Sequence, residues 1–87
     1  MKFETIVIGS SAVSLDADAK VGCRKAFLAL ETAQIRFRYD GGDPTATVGH
    51  LMNPGDILTL EGIGVNNFRA IRTGSTDGLL SVTYEGI

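Results

Sequence analysis

One cysteine, Cys23, leaves this chain no intrachain disulfide, which excludes the stapled miniproteins of secretory compartments and points to maturation in a reducing cytosol. A single histidine and the lack of tryptophan remove two further classes of site. One imidazole and one distant thiol do not have zinc-ligand spacing, and sugar-stacking modules lean on exposed indoles. Charge is scarce and balanced: eight basic against ten acidic residues give a net charge of −2, which supplies no field to gather nucleic acid or an anionic membrane. No apolar stretch approaches the roughly 20 residues that span a bilayer, and Lys2 to Ile8 lacks the pattern of a signal peptide. A soluble protein with no visible export signal is expected.

The chain is rich in glycine and in short alternating runs. Eleven glycines in 87 residues suit many tight turns and disfavour long helices. Ile35, Phe37 and Tyr39 alternate with Gln34, Arg36 and Arg38, and the run ends in Asp40-Gly-Gly-Asp-Pro44. That is a half-buried strand followed by a reversal. Similar runs cover Phe3 to Ile8, Ala12 to Leu15, Arg24 to Leu30, Thr45 to Val48, Ile57 to Leu60, Phe68 to Thr73 and Leu79 to Tyr84. Glu31 to Ala33 is short enough to close a hairpin between its flanking strands. Asn53-Pro-Gly-Asp56 has the composition of a type II turn, with Pro54 pre-setting φ and Gly55 supplying the positive φ. Lys20 to Ala33 also carries helix formers, with Ala26, Phe27, Leu30 and Ala33 on one helical face; Gly22 and the missing cap favour the strand.

Turns every ~8 to 12 residues predict one all-β domain over residues 1–87, a small antiparallel β-sandwich or jelly-roll-like barrel of about seven or eight short strands. The expected inward residues are Ile6, Ile8, Leu28, Leu30, Ile35, Phe37, Tyr39, Leu58, Leu60, Phe68, Ile71, Leu80, Val82 and Tyr84.

Reactive constellations are hard to assemble from these residues. His50 has no nucleophile elbow to serve, and reads as a loop imidazole bonded to backbone. Asp16 with Asp18, and Asp40 with Asp43, lack the spacing of a calcium loop and suit Asx-turns. Gly62-Ile-Gly64 follows a strand but lacks the third glycine, the P-loop lysine and a following helix, so no phosphate cradle is expected. Cys23 reads as a small, semi-buried residue despite Arg24 and Lys25 beside it. The expectation is a non-enzymatic protein with no cofactor and no metal. Arg36 and Arg38 on one strand, with Arg69 and Arg72 on another, are the candidate protein-interface residues, because a planar guanidinium pairs bidentately with carboxylates while its stem packs.

Four blocks carry a resemblance: Ile35 to Leu51, Pro54 to Gly62, Asn67 to Gly74 and Leu80 to Tyr84. In this order they resemble small proteins of tailed bacteriophages and prophages encoded near the head genes. The resemblance implies a compact β-domain in the virion, made in the bacterial host cytoplasm. It would be a capsid decoration or cement protein, or another head-associated component. The implied partners are further copies of the chain and the major capsid protein or other virion proteins, with no nucleic acid and no membrane. A strand followed by Asp-Gly-x-x-Pro-Thr also occurs in sandwich modules attached to glycosidases, so a carbohydrate- or receptor-binding module of a fibre or tail is the alternative expectation.

Overall fold

In a computed structural model the fold is described for residues 2–15 and 23–86. Eight strands form: β1 (Lys2–Ile8), β2 (Val13–Ser14), β3 (Cys23–Thr32), β4 (Ile35–Arg38), β5 (His50–Met52), β6 (Ile57–Glu61), β7 (Arg69–Arg72) and β8 (Gly78–Gly86). A short helix, α1 (Ile63–Asn67), lies between β6 and β7. The strands make two four-stranded sheets, ordered β1-β8-β3-β6 and β2-β7-β4-β5, and every pairing is antiparallel. The chain changes sheet at each connection except the one between β4 and β5. This winding is the jelly roll, a double Greek key that stacks two sheets around one apolar core.

Alternation sets which residues enter that core. Ala26, Leu28 and Leu30 from β3, Leu80, Val82 and Tyr84 from β8, and Ile8 and Leu60 from the edges come from the first sheet. Ile35, Phe37, Met52 and Ala70 come from the second, and Leu15, Val65 and Phe68 close the ends. All are nearly sealed from solvent, and each larger one contributes about 1.5–3 kcal/mol of transfer free energy. The Asn53–Asp56 turn forms as expected: Gly55 sits at φ 94°, and Asp56 N–H donates to the Asn53 carbonyl at 2.9 Å. It is tied to β3 by Gly55 N–H donating to the Leu30 carbonyl and Leu30 N–H donating to Asp56.

Several expectations are corrected. β3 and β4 do not form a hairpin, because β3 pairs with β8 and β6 and β4 pairs with β7 and β5. The short connection is a corner between sheets, turned by Ala33 at φ 58°, so that Leu30 and Ile35 both point inward. Residues 45–48 form a turn closed on Thr45, whose Oγ1 accepts from Val48 N–H at 3.0 Å; the neighbouring strand is His50–Met52. A helix does follow Gly62, although it is only five residues long, has no side-chain cap, and is held by burial of Val65 and Gly64. Tyr39 is not inward: β4 ends at Arg38, and the ring is 49% exposed. Ile71 pairs with Arg36 on the outer face and is only half-buried, and Ile6 and Leu58 are also partly covered. Strand, not helix, holds over the part of Lys20 to Ala33 that is described; Lys20 to Gly22, Asp16 and Asp18 lie outside the described residues.

Candidate functional site

The two sheets present outer faces of opposite character. On the outer face of β2-β7-β4-β5 stand Arg36, Arg38 and Arg69, the latter two directly paired across β4 and β7. Their guanidinium groups reach into the β4–β5 loop of the same chain. Arg36 donates through Nε to the Ala46 carbonyl (3.1 Å) and through Nη1 to the Gly49 carbonyl (2.7 Å). Arg38 forms a two-point pair with Asp40, at 3.1 and 2.7 Å, and Arg69 Nη1 meets Asp43 Oδ1 at 2.9 Å. All three thus clamp the segment from Asp40 to Gly49.

The loop has its own supports. Asp40 also accepts from Gly42 N–H at 3.1 Å, which is an Asx-turn. The Arg38 hydrogen bonds, followed by that of Gly42, hold the Asp40 carboxyl at about 2. A Cβ at Gly42 would stand 2.6 Å from the Arg38 guanidinium, so a side chain there would displace the end of Arg38 from its place over the loop. Arg72 does not share this face. Three residues from Arg69 in an extended strand, it falls opposite Ile35 on the inner side, where it pairs with Asp77 at the end of the sandwich.

His50 opens β5, with its ring 5.4 Å from Phe37 and 6.0 Å from Tyr39. A recess of about 300 Å³ is lined by His50, Tyr39, Arg38 and Asp40, a set that brings no serine or cysteine to the imidazole. Cys23 is half-buried, its Sγ–H donating to the Lys25 carbonyl at 2.9 Å, as a small residue turned back on its own strand. Among the described residues, no three of His, Cys, Asp and Glu gather closely enough to hold a metal ion, and no helix is long and apolar enough to cross a membrane.

The outer face of β1-β8-β3-β6 carries almost no charge. Its strand register lays out successive rows: Glu85, Lys25 and Glu61; then Phe3, Thr83, Phe27 and Thr59; then Thr5, Ser81, Ala29 and Ile57; then Val7, Leu79 and Thr32. Phe3 is 66% exposed, Val7 58%, Phe27 40% and Ile57 65%. Apart from the first row, the ionisable group of these outward positions is Glu31, which accepts from Ser81 Oγ at 2.9 Å at the opposite end. Exposed apolar side chains therefore alternate with threonine and serine over the middle of this face, and the ionisable groups stand at its two ends.

The arginine reading did not reach this face. Its sequence signal is the apolar character of both alternating sets in β1 and β3: Phe3 and Val7 as well as Ile6 and Ile8, Phe27 and Ala29 as well as Ala26, Leu28 and Leu30. Compared with known families, curated proteins and solved structures, the chain matches none.

Proposed function

We propose that this chain is a non-enzymatic structural subunit of a tailed-bacteriophage virion, a capsid decoration protein or other head-associated component, working as an oligomer through contacts with itself and with the major capsid protein or other virion proteins. The observation that carries the reading is the outer face of β1-β8-β3-β6, where Phe3, Val7, Phe27 and Ile57 are open to solvent and the ionisable groups stand at the two ends. The jelly roll supports it, since that winding recurs in capsid subunits as well as in lectins. A small domain with a modest core also gains stability by mass action when it binds a repeating shell.

Binding to purified heads of the virus encoding the chain, measured by co-sedimentation, tests the proposal. Phe27→Glu on the bare face is expected to abolish retention, and Arg36→Ala with Arg38→Ala to weaken it only as far as the loop loosens. Retention of neither the natural protein nor any variant would refute a head-associated role.

One observation favours a second reading, a carbohydrate- or receptor-binding module. Tyr39 and His50 form an exposed aromatic pair beside Arg38 and Asp40, a composition suited to one sugar ring. Glycan-array binding lost in Tyr39→Ala would put that reading first.

A further inference from the structure

We infer that the face of β1-β8-β3-β6 receives a second copy of this chain, about a two-fold axis that runs along the strands over the seam between β8 and β3. This deepens the adhesive reading above by naming the first partner and its orientation.

A two-fold axis along that seam lays β8 on β3 of the second copy and β1 on its β6, and each row meets its own counterpart. Phe3 then faces Thr59 and Phe27 faces Thr83, while Ile57 faces Thr5 and Ala29 faces Ser81. Every large side chain of the two central rows lies over a small or short one, the condition for interdigitation without voids. In the first row Lys25 of each copy meets Glu85 of the other, so two of that row's three charges are paired across the contact, while Glu61 stands on the exposed edge strand.

The competing axis, across the strands, reverses the row order. It would set Glu85 against Leu79 and leave that carboxylate desolvated without a partner, which opposes binding. Four strands at ~4.8 Å spacing and about seven residues of rise make a face of about 19 by 23 Å. That is about 440 Å² in projection, a small contact beside the roughly 600 Å² that each partner contributes at the lower end of stable interfaces.

Charge exchange tests the axis. Lys25→Glu puts glutamate at both 25 and 85, and Glu85→Lys puts lysine at both, so each variant repels itself across the interface. Mixed together, the two variants complement at both contacts. Native mass spectrometry of the natural full chain is expected to show a dimer. The mixture is expected to show the heterodimer outnumbering the two homodimers together by roughly tenfold, where random pairing gives equal numbers. An effect confined within each chain cannot produce that preference.

A statistical mixture would overturn the axis. A natural protein that stays monomeric at its highest soluble concentration would overturn the dimer, and head co-sedimentation of that monomer would leave the virion role standing. Thr5→Arg, on a solvent-open edge position that folding does not need, is expected to give monomer with an unchanged far-ultraviolet spectrum. A dimer that survives it refutes this face as the contact.

Discussion

Gly78 opens β8 against the corner between the sheets, and adding one methyl group there measures how closely the two sheets approach. An ideal Cβ at this position would stand 2.7 Å from Ile35 Cγ2, with the Thr32 and Ala33 carbonyls at 3.3 and 3.4 Å. Ile35 is fully buried, so its branch has no solvent to retreat into. Overpacking of this kind costs about 1–3 kcal/mol, against which the stiffer unfolded chain returns about 0.4–1 kcal/mol. Gly78→Ala is therefore expected to destabilise by about 1–2 kcal/mol, a fall of roughly 5–15 °C in Tm for a domain of this length.

Urea unfolding followed by fluorescence or circular dichroism measures the change, with Gly74→Ala as control because an added Cβ there meets nothing within 4 Å. The control should be neutral or slightly stabilising. Replacing Ile35 by leucine removes the offending Cγ2, so Gly78→Ala with Ile35→Leu should be more stable than the two separate costs add up to. Gly78→Ala as stable as its control would refute the close approach, and with it the packing of the β3–β4 corner on β8.

The loop clamps yield three more predictions. Asp40 has its folded-state pKa depressed to about 2 by Arg38 and Gly42, so its contribution is present above the unfolded carboxylate range and is lost as pH falls from about 4 through about 2. Carboxyl NMR titration should find Asp40 still ionised at pH 3, and Asp40→Asn should flatten the acid limb of stability over that window; an Asp40 midpoint near 4 contradicts the pairing. Arg36→Ala removes the donors to the Ala46 and Gly49 carbonyls and should cost about 1–2 kcal/mol, with faster amide exchange over residues 45–49 and unchanged protection in β3 and β8. Arg69→Ala, which loses one exposed ion pair, should cost less than about 1 kcal/mol by the same measurements.

Local chemistry was legible in the sequence wherever one residue type has one geometric use. Pro54-Gly55 marks its turn unaided, and alternation from Ile35 to Phe37 places those side chains inward. What alternation cannot convey is which strand pairs with which. Leu30 and Ile35 look like the two sides of a hairpin, yet they belong to different sheets, because the two-residue connection Ala33-Gln34 can turn a corner as readily as reverse. The same limit affected the arginines. Their outward direction followed from period for Arg36 and Arg38, but their partners in the β4–β5 loop depend on how that loop folds back. Helix α1 was missed for a different reason: Ile63 to Asn67 has no cap and no favourable charge, and tertiary burial of Val65 overrides its weak propensity. The bare face was readable in outline, through the doubly apolar β1 and β3, although which end was charged required the register.

The pairing of β1 with β8 has a temporal consequence. Among the described residues β1 has β8 as its one sheet neighbour, and β3 likewise waits for β8 on one side. During synthesis the emerging chain therefore holds Phe3, Val7 and Phe27 on strands with no finished sheet behind them until β8 has been made. Folding dominated by such distant partners is slow, and premature encounters between nascent copies through those same apolar residues are the hazard the sequence must survive.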